Sequence, residues 1–511
     1  MKTSQTHPLQ IDAVSAGQGK IGLTFCPGKK QPDSYSGQWD RDLAADLLEI
    51  KTWGASALVT LIEDHEFIEL QVSNLGAKAE AIGLEWHHLP IPDISVPDAS
   101  FEQSWAYSGH RLRSLLQAGK SIVVHCKGGL GRTGTIAGRL MIELGDDAEE
   151  AIRDIRFARP GSIETFGHEN SQEGYVRRCK PVSGDIKFTD RALGCLIGGA
   201  VGDAFGYEVE FKSLRLVHDS FGDDGITEPV FHNDKLIVSD DTQMTMFTLE
   251  GLLRADIEDA DEVNEQVRLA YIDWLSTQTE MDSKWIPTGD IYSEAVLKQS
   301  RAPGTTCVSA LQSGGWGTIN KRINNSKGCG GVMRVAPLGL VRPWTPEQAF
   351  DSAVRAAAIT HGHPSGFWSA GAMGAMVRLL VGGADLHDAA VQALVILSVR
   401  AGHEETTSTL KAALAAYRSG SGFHTDQIKQ LGEGWVGEEA LAIGLYAALV
   451  GQCFPEVLAI ASNHDGDSDS TASIAGQLYG AWRGVSDLPH AWVRKLDVIG
   501  PLSRELRNFI G

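Results

Sequence analysis

In the run Ser121-Ile-Val-Val-His-Cys-Lys-Gly-Gly-Leu-Gly-Arg-Thr-Gly134 an apolar strand delivers Cys126 into a glycine-rich loop that closes with Arg132 at the start of a helix. Such a loop suits an anion with several oxygens. Gly128, Gly129 and Gly131 permit the turns that aim backbone N–H groups at one point, and the helix N-terminus adds a favourable potential. Together with Lys127 and Leu130 they form the expected phosphate cradle. A cysteine at a helix N-terminus beside an arginine is favoured as the thiolate, the form that attacks phosphorus and yields a cysteinyl-phosphate intermediate. Arg132 would clamp two equatorial oxygens. Thr133 would hydrogen-bond the sulfur when it leaves, and His125 would orient the loop through its backbone. An ordinary buried thiol after a strand does not explain why all these residue types fall at the required offsets together.

Two carboxylate groups lie far apart in the second half, in Val238-Ser-Asp-Asp-Thr242 and Asp465-Gly-Asp-Ser-Asp-Ser-Thr471. Paired hard oxygen donors suggest magnesium or manganese. Asp467 and Asp469 are one residue apart, so an extended turn would point both to one side, with the Ser470 hydroxyl beside them. Each group also stands where a helix begins, and aspartate and serine are common helix caps. Two groups, each followed by a helix, with small residues Ala472, Ala475 and Gly476 in the second, favour a composite metal site. Calcium-loop spacing is absent.

These residues need two scaffolds. A chain of 511 residues exceeds one ordinary core, and 42% hydrophobic with 22% charged residues is a globular composition. Up to about residue 180 short β-rich runs alternate with helical ones: Ala57 to Ile62, Leu75 to Ile82, then Ser121 to His125 leading into Arg132 to Leu144. That predicts an α/β domain with a mainly parallel sheet over residues 1–180. Residues 181–188 read as a linker, with the boundary near Asp185. Residues 189–511 are Ala-rich, Gly-punctuated and helical, as in Asp241 to Leu253, Thr406 to Tyr417 and a buried helix over Ala440 to Val450, and predict an all-α domain. The formal charge of -20 disfavours nucleic acid as a partner. Seven cysteines, odd in number and without C-x-x-C, argue against a disulfide framework or structural zinc and fit a reducing cytoplasm. Neither a secretory signal nor a membrane-spanning window is read from the sequence.

The loop around Cys126 resembles that of the dual-specificity branch of the protein tyrosine phosphatases, H-C-x5-R-[ST], over about Gly22 to Val176. Upstream, His87-His-Leu-Pro-Ile-Pro-Asp93 resembles the acid loop of kinase-associated phosphatases. The resemblance implies that Asp93 protonates the leaving oxygen and later activates water, with Asp98 as the alternative acid. No cofactor is implied for this half.

From about Thr189 to the end, five motifs resemble the ADP-ribosylglycohydrolase family in order: Leu193 to Glu210, Ser239-Asp-Asp-Thr242, Gly328-Cys-Gly-Gly-Val-Met-Arg334, Thr360-His361 and Gly466 to Thr471. The similarity takes in dinitrogenase reductase-activating glycohydrolases and, in Asn325-Ser-Lys-Gly-Cys-Gly330 and Gly466-Asp-Ser-Asp-Ser470, the ADP-ribosylarginine hydrolases. It implies two Mg2+ or Mn2+ ions held by Ser239, Asp240, Asp241, Asp467, Asp469 and Ser470, with acid/base duty shared by an aspartate such as Asp241. Glu210 would gate the entrance or move a proton. Asn325, Ser326, Lys327 and Gly328 would cradle ADP-ribose. His361 would touch the ligand or cap its helix, and Cys329 would pack. The implied function is a bifunctional hydrolase acting on an ADP-ribosylated or phosphorylated protein, with ADP-ribosyl-arginine favoured. The alternatives are a processor of phosphorylated ADP-ribose, or one catalytic domain joined to a recognition domain.

Overall fold

The computed structural model describes residues 1–33, 37–165, 167, 169–182, 184–279, 286–420 and 423–510. The chain divides into two compact units, Met1–Gly184 and Asp185–Gly511.

In the first unit the Ser121–Cys126 strand is the middle of five, in the order Asp12–Ala16, Gly19–Phe25, Ser121–Cys126, Ala55–Thr60, Glu85–His88. It runs parallel to both neighbours, with Phe25 opposite Cys126 and Thr60 opposite His125. The sheet is mainly parallel, and the Asp12–Ala16 edge is antiparallel. The central strand's side chains alternate between two cores. Ile122 and Val124 pack with Leu23, Ile136 and Leu140, and Val123 packs with Ile50, Leu58 and Ile62. A strand buried on both faces is held in place firmly, and its C-terminal end carries the nucleophile candidate. The predicted helix at Leu75 spans Leu75–Ala81, and the one after the loop spans Gly131–Glu143.

In the second unit the helices Asp240–Arg254, Glu404–Ser419 and Gly437–Val450 contain the three helical stretches read from the sequence. Among its described residues, extended pairing is limited to isolated bridges. Residues 186–188, expected in the linker, are instead the first turn of a helix, Ile186–Gly206. The Asp185 side chain accepts from the N–H groups of Lys187 and Phe188, and this cap lets the helix start earlier than the Pro/Gly-bearing segment suggested.

That helix packs tightly against Ser468–Arg483. Gly194, Gly198, Gly202 and Gly206 recur every fourth residue and meet Gly480, Gly476, Ala472 and Ser468 in reversed order. The two helices therefore touch backbone to backbone along one ridge, running antiparallel. A methyl group at Gly198 would stand 2.5 Å from the Gly476 carbonyl oxygen, so only glycine fits. This contact brings the end of the first helix, with Asp203, beside the start of the second, with Asp467 and Asp469. No described helix is long and apolar enough to cross a membrane.

Candidate active sites

At the end of the central strand Cys126 is almost wholly buried, and its sulfur accepts a hydrogen bond from the Gly129 N–H at 3.2 Å. Gly129 adopts φ +77°, and a Cβ there would lie 2.4 Å from the Thr24 carbonyl oxygen, so the loop depends on glycine at this position. His125 is buried between Thr60 and the loop. Its Nε2 lies 2.8 Å from Thr60 Oγ1, which also accepts from Trp86 Nε1 at 2.9 Å, and its Nδ1 faces the Cys126 carbonyl oxygen at 3.4 Å. The arrangement assigns the proton to Nδ1, with the Thr60 hydroxyl donating to Nε2. Burial, with the nearby Arg132 charge adding to it, pushes the His125 pKa down to about 3, so the ring is neutral.

Arg132 is buried at the first turn of the Gly131–Glu143 helix. Nη1 and Nη2 grip Glu66 at 2.6 and 3.0 Å, and Nη1 also donates to the Ile91 carbonyl at 3.0 Å. Despite burial, these contacts hold the Glu66 carboxyl below its usual range. Two buried polar atoms at the cradle, Arg132 Nε and Thr133 Oγ1, have no hydrogen-bond partner among the described residues. Unpartnered groups of this kind are ready to bind an anion. Asp93 comes to 3.1 Å from Arg132 Nη2, with its side chain 62% exposed. Asp98 does something else: it caps the Ala99–Gln117 helix, accepting from the Phe101 N–H at 2.9 Å. Ile94, directly after Asp93, holds φ +60°, a strained value for a β-branched residue in the acid loop.

Three residues that sequence reasoning missed support this loop. Arg159 donates from Nε to the Gly129 carbonyl at 2.6 Å, from Nη2 to the Gly128 carbonyl at 3.5 Å, and from Nη1 to Asp12 at 2.7 Å. Lys29 Nζ donates to the Lys127 carbonyl at 3.4 Å. With these carbonyls tied outward, the loop's N–H groups are left to face the cradle. Buried Gln172 accepts from the Glu164 N–H at 2.9 Å and donates to the Ser95 carbonyl at 3.4 Å, joining the segment around Glu164 to the acid loop. Lys127 itself points its side chain to Glu69 at 2.6 Å.

In the second unit a cleft of about 460 Å³ is lined by Asp240, Asp241, Asp467, Asp469, Ser470 and Glu210, with Gly328, Cys329 and His361. The two sequence groups therefore meet, and Glu210 joins them. Carboxylate oxygens of Glu210, Asp467 and Asp469 lie within 4.8 Å of one another. Asp467 is the N-cap of the Ser468–Arg483 helix, and Asp469 falls in its first turn rather than in an extended turn. Ser239 N-caps its own helix, its hydroxyl accepting from the Asp241 N–H at 3.2 Å. Asp203, within the Leu193–Glu210 motif, accepts from the N–H groups of Ser239 at 2.9 Å and Thr242 at 3.0 Å, and so fixes the segment that carries Asp240 and Asp241.

So many buried acids raise one another's protonation. Burial, then Asp467, Asp240 and Asp203, push Glu210 to about 9. Burial and the neighbouring Asp203 and Asp467 push Asp240 to about 8, and burial with adjacent carboxylates raises Asp241 and Asp469 well above the usual range. Asp241 Oδ2 and Glu210 Oε2 are buried without a hydrogen-bond partner among the described residues. An all-oxygen, electrically strained cluster with unpartnered oxygens fits divalent cations of the magnesium or manganese type.

Of the expected ADP-ribose contacts, Gly328 and His361 line the cleft. Asn325, Ser326 and Lys327 are outside its lining; Lys327 pairs with Glu405 and lies 3.8 Å from Glu438. Asn324, not Asn325, anchors the loop, bonding the Thr360 carbonyl at 2.7 Å and the Ser326 and Gly362 N–H groups. His361 does not cap its helix; His363 does. Buried Arg334 donates to Thr360 Oγ1 at 2.6 Å, which meets His361 Nδ1 at 2.8 Å. Burial and Arg334 push His361 to about 3, leaving a neutral ring whose Nε2 is beside Gly328 and Gly330. Cys329, expected only to pack, lines the cleft and donates to Asp467 Oδ2 at 2.7 Å. Phe211 and Trp435 stack at the cleft with centroids 6.3 Å apart.

Comparison with known proteins gives two matches in series. A family described as ADP-ribosylglycohydrolase matches residues 185–510. A family described as polymorphic toxin system, DSP-PTPase phosphatase, matches residues 38–146. An ADP-ribosyl-[dinitrogen reductase] glycohydrolase of Rhodospirillum rubrum is 26% identical over 324 residues, 62% of this chain and 94% of that protein. An ADP-ribosylarginine hydrolase Tri1 of Pseudomonas putida (strain GB-1) is 26% identical over 312 residues, 60% of this chain and 74% of that protein. A cyclin-dependent kinase inhibitor 3 of Rattus norvegicus is 30% identical over 167 residues, 32% of this chain and 74% of that protein.

Proposed function

Because this chain belongs to the ADP-ribosylglycohydrolase family and carries a dual-specificity-type phosphatase domain ahead of it, we propose that it is a two-site hydrolase that removes phosphate at Cys126 and ADP-ribose at the carboxylate cleft. The observation that carries the reading is the pairing of two equipped sites: a cradle with unpartnered Arg132 Nε and Thr133 Oγ1, and a cleft where Asp240, Asp241, Asp467, Asp469 and Glu210 converge.

At the first site the Cys126 thiolate attacks phosphorus. The S–P bond forms as the P–O bond to the leaving group breaks, and Asp93 gives its proton to the departing oxygen. Arg132 and the loop N–H groups hold the charge on the equatorial oxygens. Water then attacks phosphorus, Asp93 takes a proton from it, and the S–P bond breaks with the Thr133 hydroxyl donating to sulfur. Neutral His125 holds the loop throughout and transfers no proton.

At the second site Asp240, Asp241, Asp467, Asp469 and Ser470 would hold two divalent cations, with the Ser239 hydroxyl as a further donor. When bound, these cations would neutralise the cluster and polarise the ribose hydroxyls. The bond broken is that from the ribose anomeric carbon to the acceptor nitrogen. Water adds to that carbon, Asp241 accepts its proton, and Glu210 supplies one to the departing nitrogen. Neutral His361 presents Nε2–H to the ligand beside Gly328. An arginine acceptor is favoured by the likeness to an ADP-ribosylarginine hydrolase. A reducing cytoplasm is the compartment that suits a free Cys126.

The test measures ADP-ribose release from ADP-ribosyl-arginine and ADP-ribosyl-serine, and phosphate release from phosphopeptides, with and without Mg2+. Release from the arginine conjugate only with metal, alongside metal-independent phosphate release, is the expected result. Phosphate release that stops on chelation in folded protein would refute the cysteine mechanism.

A further inference from the structure

Lys29 follows the Gly19–Phe25 strand and is 4% exposed. A buried ammonium is costly unless an anion faces it. No carboxylate pairs with Lys29 among the described residues; its hydrogen bond goes to the Lys127 carbonyl, one residue after Cys126. Its Nζ lies 4.8 Å from the ring centroids of both Phe25 and Trp39. The Arg41 guanidinium stands over the same two rings but is already paired with Asp46 at 2.7 Å. Arg159, the other cation nearby, is paired with Asp12. Two thiols, Cys26 and Cys126, are near enough to favour its charge when ionised. Burial pushes the Cys26 thiol well up and keeps it protonated, so Cys126 is the remaining group able to answer the charge.

We propose that Lys29 is the counter-charge of the anion held by the Cys126 loop, a positioning residue that stabilises the thiolate from behind the loop through the Lys127 peptide. The inference rests on the reading of Cys126 as the nucleophile. Burial, with Arg41 and Arg159 adding to it, brings the Lys29 pKa down to about 8, so the ammonium is charged at neutral pH and its charge is lost as pH rises through that value.

The test alkylates Cys126 with iodoacetamide in the full chain, at a pH on the rising limb of its alkylation profile, followed by mass spectrometry of its peptide. Lys29→Met keeps the volume without the charge and should slow alkylation about threefold or more, the effect of half a pKa unit. Lys29→Arg should stay within about twofold of wild type, on the same scale. Equal rates for Lys29→Met and wild type overturn the proposal. If circular dichroism shows Lys29→Met unfolded, the wild type decides. The 15N-lysine ammonium signal of Lys29 is titrated before and after Cys126 is alkylated, and by reciprocity the neutral thioether must bring Lys29 deprotonation to lower pH. An unmoved midpoint overturns it. A wild-type Cys126 no more reactive at the alkylation pH than free cysteine would instead sink the nucleophile reading.

Discussion

Gly202→Ala tests how the second site is assembled. The added Cβ would stand 2.1 Å from the Ala472 carbonyl oxygen, while real Cβ contacts stay above 3.0 Å, so the helices must part by about 0.9 Å. The obstacle is backbone and cannot rotate away. Overpacking of this kind costs about 1–3 kcal/mol, offset by about 1 kcal/mol of helix propensity, leaving about 0–2 kcal/mol of destabilisation. The site is affected far more. Asp203 adjoins Gly202 and Asp469 lies one turn before Ala472, so the shift separates the Asp240–Asp241 segment from Asp467 and Asp469. A misplacement near 1 Å can cost about a hundredfold in turnover. Differential scanning calorimetry and ADP-ribose release would be measured together, with Gly315→Ala, whose nearest neighbour is 3.9 Å away, as the control. Wild-type turnover in Gly202→Ala would refute the claim that close helix contact sets the carboxylate geometry.

Asp93→Asn should lower phosphatase kcat by about a hundredfold or more with little change in KM, whereas Asp98→Ala should keep kcat and cost about 1 kcal/mol as a lost cap; steady-state kinetics with thermal melts separate the two. Mg2+ or Mn2+ should raise the melting transition of the second unit, by about 2.7 kcal/mol at a hundred times Kd, and the gain should vanish on chelation and in Asp467→Asn with Asp469→Asn. His125 is held neutral down to about pH 3, while the unfolded residue takes its proton near 6.5. Its burial therefore contributes stability fully above pH 6.5 that is lost as pH falls toward 3, on the order of 4 kcal/mol. Urea titrations of wild type and His125→Gln across that range should show a shallower acid slope in the variant.

The two candidate sites were legible because their residues are written in short contiguous runs. Cys126, Arg132 and Thr133 sit in one loop, and the carboxylates sit in two short runs whose convergence only the fold completes. What escaped the sequence acts across distance. Arg159 reaches a carbonyl thirty residues away and Lys29 one ninety-eight residues away. Both bind backbone, so the partner's side chain carries no trace of the contact. Asp203 was visible in a motif, yet its task, accepting N–H groups at the start of another helix, depends on the glycine ridge. The motif names Asn325, and only the fold shows its neighbour Asn324 bonded to the Thr360 carbonyl. The resemblance points to Asp93 ahead of Asp98, and the structure engages Asp98 as a helix cap at Phe101.

The outward ties from Arg159 and Lys29 to the loop carbonyls also bear on how tightly an anion is held. A glycine-rich loop left to itself would sample many conformations, and closing it on phosphate would spend binding free energy on lost backbone entropy, about 1–2 kcal/mol for each residue fixed. Here that ordering is completed during folding, so an arriving phosphoryl group meets donors already aimed. Substitution at Arg159 should therefore weaken vanadate and phosphate by similar factors, as a loss of preorganisation does, without the sharper loss for the transition-state mimic that follows removal of a direct contact.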